Sequence, residues 1–456
     1  MVKRVRQSHE APYGSSLDPN DSATVRLWGR DVGVLMHDRA LGSYTFGYFD
    51  EWRKSGIEIS PLKIPLSSNK EAFDFPSLNP ETFKGLPGCF ADVLPDDFGN
   101  AVINAWLSRQ GRDPNTFSSV ERLLYTGTRG MGALEFSPAT NTGQSDTGGS
   151  LEIETLIQTA QRVLDERSHA GGEVAQDNNH GISSILQVGS SAGGARPKAV
   201  VALNKNRTDI RSGQIDAPNG YEHYLLKFDG VSEYKSGSEI FGDPAGYGLM
   251  EYTYYQMATN AGVTMEPCEI LADGPRSHFL TKRFDRIRNH KIHVQTLCAM
   301  AHADYKRPGQ FSYEELLQVA RSLRLPRSDA LQIYRRMVFN VIARNQDDHT
   351  KNFAFLMDDD GKWRLTPAYD VAFSYKPGSH WVEQHNISLN GKRSGFVQED
   401  LLAVCAQIGN FSPRDALVVI EECTEAVSQW RKLATINDVP KYLIDNIDSN
   451  LRLDLT

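Results

Sequence analysis

One short stretch, residues 345–353, constrains this chain more than any other. It reads NQDDHTKNF and follows a helix-like pattern with an apolar stripe, which begins at Ser328 and is predicted to carry the stretch at its end. Two strand-like runs, Phe353–Met357 and Lys362–Thr366, come next and flank a turn ending in Asp-Gly, so they predict a β-hairpin. A second acid, Asp370, follows the hairpin. Polar loops held by rigid elements commonly carry function, so we expect the site here.

The spacing within this stretch suggests a chemistry. Asp347 lies five residues before Asn352, the interval that in protein kinases separates the catalytic-loop Asp from a magnesium-binding Asn. Phosphoryl transfer needs a carboxylate near the attacking hydroxyl and oxygen ligands for Mg²⁺, and Asp347, Asn352 and Asp370 supply that set. Asp348 is a competing base, which the interval disfavours. Spacing alone leaves open an ordinary polar loop in which Asp370 only caps a turn.

Two further stretches could bind phosphate. The glycine-rich piece Gly189–Lys198 precedes a strand, and its unhindered N–H groups could wrap phosphates, although it is not a Walker motif and could be only a flexible loop. Lys227 lies in a strand between apolar neighbours, where an ammonium is costly unless it meets an anion. It is the candidate lysine for the α- and β-phosphates, and the alternative is an edge-strand lysine in solvent. Glu251, on the next helix, could be its ion-pair partner or could be solvated.

Other charged residues carry weaker signals. His349 is not expected to bind metal, because Mg²⁺ prefers oxygen and no second His lies at ligand spacing, so we expect it to orient the loop or the phosphates. A cluster of basic residues could contact nucleic acid or an acidic partner, but a charged strand edge and its loop are usually solvated. The cluster comprises Lys282, Arg283, Arg286, Arg288 and Lys291.

Local patterns also predict structure outside this region. Two short apolar runs near residues 25–28 and 32–35 predict a hairpin, and Asp96 or Asp97 is predicted to cap a helix. Ser118 begins a capping-box pattern. Ser412, followed by proline, is predicted to cap a last long helix.

Length and composition limit the class of protein. A chain of 456 residues is too long for one ordinary core and suggests two domains or one large two-lobed one. The net charge of −8 argues against binding nucleic acid through bulk charge. The five cysteines include no C-x-x-C pair, so neither a disulfide framework nor a zinc site is indicated, and a reducing cytoplasm fits. No apolar run approaches a membrane span and no signal-peptide pattern is present, so no membrane partner is expected.

Several motifs, taken in order, resemble one known family. NQDDHTKNF, then LTPAYDVAFSY and NISLNGKR, are similar to the carboxy-terminal half of the HipA-type serine/threonine kinases, the toxins of bacterial toxin–antitoxin pairs. Upstream, SSAGGARPKAVVAL, HYLLKFDG, MEYTYYQMATNAG and HFLTKRFDR resemble that family's glycine-rich loop, nucleotide-lysine strand, following helix and hinge strand. LPGCFADVLPDDFGNAVINAWL resembles its first subdomain. The resemblance covers the chain from about Val25 onward.

The resemblance implies roles that spacing does not. It assigns backbone contacts with adenine to Lys282 and Phe284, and it places the family's autophosphorylated serine on Ser191, with Ser190 adjacent. It implies ATP and Mg²⁺ as cofactors and a growth-inhibiting toxin that phosphorylates the translation machinery, typically an aminoacyl-tRNA synthetase. It also implies a small helix-turn-helix antitoxin as partner, through which alone the protein would contact DNA.

We therefore predict an α+β, two-lobed protein-kinase-like fold with an N-terminal β/α subdomain and a mostly helical C-terminal lobe. Two other functions stay open. One is a nucleotide-binding pseudokinase module that acts with a DNA-binding antitoxin as a co-repressor, and the other is a small-molecule kinase. The predicted division is a flexible arm (1–22), the N-terminal subdomain (23–136), a linker (137–150), a nucleotide-binding lobe (151–285) and a helical lobe with the catalytic loop (286–456).

Overall fold

The computed structural model describes residues 19–140, 149–168, 197–233, 241–243 and 245–455. These residues form both strands and helices, which confirms the predicted α+β class. The predicted glycine-rich loop, with Ser190 and Ser191, lies outside the described residues except for Pro197 and Lys198. Among the described residues, no helix is both long and apolar enough to cross a membrane.

An antiparallel sheet of four strands opens the fold. Its strands are β1 (Ser22–Leu27), β2 (Arg30–Asp38), β3 (Ser43–Tyr48) and β4 (Leu134–Ser137). They lie in the order β3-β2-β1-β4, and every second residue of β1 is buried, as expected for a strand with one face on the core. The predicted hairpin is confirmed. Its turn consists of Trp28 and Gly29, both at positive φ, which suits a two-residue connection.

Helices surround this first sheet and follow it. They are α1 (Asp50–Arg53), α2 (Pro80–Phe83), α3 (Gly88–Ala91), α4 (Asp97–Arg109), α5 (Ser119–Thr126) and α6 (Ile153–Ser168), with 3-10 turns at Pro19–Asp21 and Pro114–Thr116. Of the two candidate caps, Asp96 is the one used, since its carboxylate accepts from the Gly99 N–H at 2.8 Å. Ser118 and Glu121 form the predicted capping box. Both caps are local side-chain contacts, which is why the sequence reveals them.

A second, five-stranded sheet lies at the centre of the molecule. Its strands, with a short hairpin and a helix between them, are β5 (Lys198–Asn204), β6 (Ile210–Ser212), β7 (Tyr221–Lys227), the hairpin β8 (Val231–Glu233) and β9 (Phe241–Asp243), α7 (Tyr247–Asn260), β10 (Cys268–Asp273) and β11 (Arg276–Lys282). The order β10-β11-β7-β5-β6 places β7 in the middle. Because side chains alternate along a strand, one face packs on α4 and α6. The opposite face, with Lys227 and Phe279, lines a cleft.

The remaining chain is mostly helical around a small three-stranded sheet. Its elements are β12 (Arg286–Ile287), β13 (His290–Lys291), β14 (His293–Thr296), α8 (Leu297–Ala301), α9 (Tyr313–Ser322), α10 (Arg327–Ile342), β15 (Ala354–Met357), β16 (Trp363–Leu365), α11 (Gln398–Cys405), α12 (Pro413–Ser428), α13 (Trp430–Ile436) and α14 (Lys441–Asp448). The hairpin β15–β16 and the Ser412 cap are confirmed. The predicted start of α10 at Ser328 is wrong by one residue, since the helix begins at Arg327 after Pro326.

Polar contacts join the first sheet and its helices to the rest of the molecule. The Trp28 indole donates to the Lys291 carbonyl at 2.8 Å, and the Gly88 N–H donates to His302 Nε2 at 3.1 Å. The Asn79 amide donates to Asp304 Oδ2 at 2.7 Å. We call this boundary the seam. It places the first sheet's loops beside the central cleft.

Candidate active site

The central cleft contains the predicted nucleotide lysine and the second predicted acid. It encloses about 1010 Å³ of empty space, part of which is open to solvent. Its walls come from three parts of the chain: the open face of the five-stranded sheet, the segment around Asp370, and residues 19–140, which we call the first region and which contribute Asp92 and Met131. The fold thus brings Lys227, Lys282, Phe284 and Asp370 to one place.

Lys227 is buried at the end of the central strand β7 and is paired with two acids. Its Nζ lies 2.5 Å from Glu251 Oε1 and also pairs with Asp370. The edge-strand alternative is wrong because β7 has neighbours on both sides, and the solvated alternative for Glu251 is wrong because that side chain is buried. Burial alone would lower the pKa of Lys227, but Asp370 and Glu251 outweigh it and raise this pKa. The lysine is therefore a fixed cation.

Asp370 has an unusual backbone conformation. Its φ of 51° lies in the left-handed region, which costs a non-glycine residue roughly 1–2 kcal/mol. Neighbouring contacts hold it there: Ala368 N donates to the Thr264 carbonyl at 2.8 Å, and the Tyr369 hydroxyl donates to the Lys351 carbonyl at 2.7 Å. The second bond ties this segment to the stretch 345–353.

In the stretch 345–353, adjacent carboxylates have opposite environments. Asp347 has 44% of its side chain exposed, whereas Asp348 has none. The Asp348 carboxylate accepts from the Tyr313 hydroxyl at 2.8 Å, His385 Nδ1 at 2.8 Å and the Asn386 N–H at 2.7 Å. A carboxylate occupied in this way cannot receive a substrate proton. Asp347 is therefore the carboxylate of this pair that a substrate can reach.

Asn352 and His349 both lie beside Asp347. The Asn352 amide nitrogen donates to the Asp347 carbonyl at 2.7 Å, so its Oδ1 is the atom that could meet a cation. His349 Nε2 lies 3.8 Å from Asp347 Oδ1, and the His349 ring packs on Tyr305 at 5.4 Å between centroids. His349 Nδ1 is buried and has no hydrogen-bond partner within the part of the chain described. His349 thus lies beside Asp347 at a separation too long for a hydrogen bond.

Lys282 and Phe284 lie at the end of β11 on the rim of the cleft. The Lys282 ammonium turns away to pair with Glu222, while its N–H donates to the Pro267 carbonyl at 3.0 Å. The Phe284 ring packs on Tyr369 at 5.5 Å. Both residues thus lie at the rim of the cleft, but the Lys282 N–H is already donated within the fold.

The basic cluster is not a solvated strand edge, and that prediction is wrong for three of its members. Arg283 and Arg286 are buried and both bond to Asp285, and Lys291 Nζ lies 2.6 Å from Glu135 Oε1. Spacing could not reveal this because Glu135 and the loop that meets Arg286 lie about 150 residues upstream.

Sequence reasoning missed a second group of charges at the cleft. Asp92 accepts from the Thr296 N–H at 2.7 Å and hydroxyl at 2.8 Å, and burial raises the pKa of this acid. Burial alone would lower the pKa of Lys351, but Asp92 and other nearby acidic groups raise it. Lys198 Nζ lies 3.5 Å from Asp96 Oδ2. The run Asp92-Val-Leu-Pro-Asp96 between apolar residues was the available signal, since closely spaced acids in an apolar segment need cationic partners.

The donor set can be tested against Mg²⁺. Across the described ranges no group of three or more His, Cys, Asp and Glu side chains could hold a metal ion. Mg²⁺ does not require such a cage, because it is commonly bound by one or two protein oxygens together with substrate phosphates and waters. Asp370, with 31% of its side chain exposed, and the Asn352 Oδ1 are oxygen donors of the kind that Mg²⁺ binds.

Comparisons with known proteins agree with the motifs. A model of the HipA-like C-terminal domain matches residues 190–430, and one of the HipA N-terminal domain matches residues 23–137. The chain is 27% identical over 360 residues, 76% of each protein, to "Putative kinase Y4mE" of Sinorhizobium fredii (strain NBRC 101917 / NGR234). Its fold matches a chain from the Shewanella oneidensis MR-1 complex of HipA, HipB and operator DNA with a TM-score of 0.64 at 15% identity, over 94% of this chain and 95% of that one. Since the first model alone matches more than half of the sequence, the chain belongs to the HipA family.

Proposed function

We propose that this protein is an ATP- and Mg²⁺-dependent serine/threonine protein kinase. The observation that carries the proposal is the paired lysine: Lys227, held by Glu251 and Asp370, lies in one cleft with the strand end 282–284. A buried cation with acids on two sides matches the phosphate-binding arrangement of kinases, in which a strand lysine pairs with a helix glutamate. The likeness to a relative named as a kinase supports the same conclusion.

The nucleotide would lie along the cleft, with Lys227 at its phosphates. Lys282 and Phe284 would contact the base through their main chain. Asp370 and Asn352 are the residues that would hold Mg²⁺, which neutralises charge on the phosphates when bound. His349 would keep Asp347 in position.

Asp347 would act on the acceptor. Its exposed carboxylate would take the proton of a serine or threonine hydroxyl as that oxygen forms a bond to the γ-phosphorus. The bond from the γ-phosphorus to the bridging oxygen breaks, and ADP leaves. Because Asp348 is fully occupied by three donors, it would hold the loop in place and take no part in this transfer.

Transfer of radiolabel from ATP to a protein tests the proposal. The purified chain is expected to label itself or an added protein, and the Asp347→Asn variant is expected not to. If ATP binds and no label is transferred by the wild type, the protein is a nucleotide-binding module and not a kinase. If only a small molecule is labelled, it is a small-molecule kinase.

The family resemblance supports finer proposals. We propose that the substrate belongs to the translation machinery, with an aminoacyl-tRNA synthetase as first candidate, and that the protein acts as a cytoplasmic toxin. We also propose a helix-turn-helix antitoxin as partner, since the matched Shewanella complex contains HipB and operator DNA. Phosphoproteomics after brief induction, with Asp347→Asn as control, would identify the substrate.

The proposed control by Ser191 rests on sequence alone. A phosphate there would add roughly 1.5 to 2 negative charges to a loop that is proposed to contact the ATP phosphates, so it would weaken nucleotide binding. We expect Ser191→Asp to bind ATP more weakly and to be less toxic than Ser191→Ala. If Ser190→Asp has this effect and Ser191→Asp does not, the neighbouring serine is the regulatory one.

A further inference from the structure

Asp285 is a fully buried acid that meets two regions of the chain at the rim of the cleft. Arg283 donates to it twice, from Nε at 2.8 Å and Nη2 at 2.7 Å, and Arg286 Nη1 donates at 2.8 Å. The fourth donor is the Gly132 N–H at 2.7 Å, which belongs to the first region. Burial would raise the pKa of Asp285, but the two guanidinium groups outweigh it and lower this pKa. The Asp285 carboxylate is therefore ionised, and it is bound by both arginines and by the first region.

The contact is reciprocal, because Arg286 also donates to the first region. Its Nη1 lies 3.0 Å from the Gly132 carbonyl, and its Nη2 lies 3.2 Å from the Gly130 carbonyl. Gly132 has a φ of 72°, and a Cβ there would lie 3.1 Å from Val294 N, so the loop requires glycine to approach this closely. We call Arg283, Asp285, Arg286 and the loop Gly130–Gly132 the clasp.

The clasp adjoins the cleft on both sides. Arg283 and Asp285 line it, and so does Met131, which lies between the two glycines that the clasp holds. Lys282 and Phe284 alternate with Arg283 and Asp285 along the chain. Any shift of Asp285 therefore moves both the main chain proposed to contact the base and the Met131 side chain on the facing wall.

We infer that Asp285 is a positioning residue for nucleotide binding, and that the first region, through Met131, forms one wall of the base pocket. The inference rests on the proposed function for the nature of the ligand. In this arrangement the clasp sets the distance between the strand end 282–284 and Met131. The base would lie between two regions about 150 residues apart in sequence. The first region would therefore be needed for ATP binding as well as for stability.

The test measures the dissociation constant of a non-hydrolysable ATP analogue and the steady-state constants for ATP. Asp285→Asn removes the charge shared by the two arginines while keeping the side chain's shape. We expect its dissociation constant and KM for ATP to rise about tenfold, because small displacements at a binding site are costly, while kcat at saturating ATP stays within about twofold. Thermal unfolding would establish that the variant is folded at the assay temperature.

Glu135→Gln is the matched control. Glu135 pairs with Lys291 at 2.6 Å, so the variant makes the same carboxylate-to-amide change at a second contact of the same region, away from the cleft walls. Its ATP affinity should equal that of the wild type. If both variants lose affinity equally, the effect comes from looser packing of the first region, and the inference is wrong.

Met131→Ala decides the matter if Asp285→Asn does not fold. It leaves every charge of the clasp in place and removes only the side chain that lines the cleft, so ATP affinity should fall about fivefold with little change in thermal stability. Unchanged affinity in this variant would overturn the inference. Because binding and phosphate transfer are measured separately, a wild type that binds the analogue without transferring phosphate would refute the kinase proposal only.

Discussion

Two clusters of paired charges line the same cleft: the clasp, and the group of Lys227, Glu251 and Asp370, which we call the lysine cluster. They differ in how exposed their acids are to solvent. In the clasp, Asp285 has no exposed side-chain surface and receives four donated hydrogen bonds, two from Arg283 and one each from Arg286 and Gly132. In the lysine cluster, Lys227 and Glu251 are buried, with 7% and 5% of their side chains exposed, but Asp370 has 31% of its side chain exposed and a left-handed backbone. A fully buried cluster such as the clasp serves to join parts of the fold. A cluster whose acid is partly exposed, such as Asp370, can instead bind a ligand in place of one of its protein partners.

The same contrast separates Asp347 from Asp348. One carboxylate is nearly half exposed, and the other is buried under three donors. Burial and the number of donors, more than residue type, distinguish an acid that can react from one that supports the loop. The predictions below test this division, beginning with the largest effect.

Asp347→Asn should reduce phosphate transfer by about 10²–10⁴-fold, because the base is lost while the phosphate-binding residues remain. The amide is nearly isosteric and the side chain is half exposed, so thermal stability and ATP affinity should stay at wild-type values. Single-turnover transfer and calorimetric ATP binding would measure both. Loss of ATP binding in a folded variant would instead make Asp347 part of the nucleotide site.

Asp348→Asn should have the opposite profile. The change turns one carboxylate oxygen into an NH2 group, which is itself a donor, so at least one of the three donors (the Tyr313 hydroxyl, His385 Nδ1 and the Asn386 N–H) loses its acceptor. We therefore expect the free energy of unfolding to fall by about 3 kcal/mol. Denaturant titration would measure it, with Asp347→Asn as the control of equal chemistry. A variant as stable as that control would contradict the division between the two acids.

In Asp370→Asn, the increase in nucleotide affinity that Mg²⁺ produces should be smaller by about tenfold or more, since a charged oxygen ligand becomes neutral. Glu251 still pairs with Lys227 in this variant and keeps the lysine in place, so Mg²⁺-independent binding should change much less. Titrating Mg²⁺ at fixed ATP separates these contributions. Identical titrations for variant and wild type would show that Asp370 is not a ligand.

Mild acid should weaken the seam. Burial lowers the pKa of His293 to about 4 and that of His302 to about 3. His302 accepts a hydrogen bond from the Gly88 N–H, and His293 Nε2 contacts the Ile59 carbonyl, so both histidines bind the first region. An unfolded histidine has a pKa near 6.5, so their contribution is complete above pH 6.5 and declines as pH falls toward 4. Between pH 7.5 and 5 the loss should be about 1–2 kcal/mol for each residue.

His302→Asn provides the check on this prediction. Asparagine tolerates the left-handed φ of 55° at this position and does not titrate, so the variant should lose less stability than the wild type over the same pH range. Calorimetric unfolding at several pH values would measure both slopes. Equal slopes would show that the pKa of His302 is the same in the folded and the unfolded protein, which would contradict the prediction.

Local patterns were predictable because their physical causes lie within a few residues. The Ser118 capping box, the Ser412 cap and the hairpin β15–β16 each depend on contacts between near neighbours, and all were confirmed. The family could also be identified from the order of short motifs, and the comparisons agree with it. The predicted start of α10 at Ser328 differs from the observed start by one residue, because serine is a common residue at helix starts, whereas here Pro326 is the N-cap and Arg327 the first helical residue.

The sequence by itself thus determined the α+β class, the family, and which acids and amides are candidates for the chemistry. Only the tertiary structure decided which candidates contact one another and which are buried out of reach of a substrate. Lys227 and Asp370 are 143 residues apart, Asp285 and Gly132 are 153 apart, and Asp348 and Asn386 are 38 apart. Burial, donor count and pKa depend on such distant neighbours, since each arises from the charges and dipoles that surround a group in space.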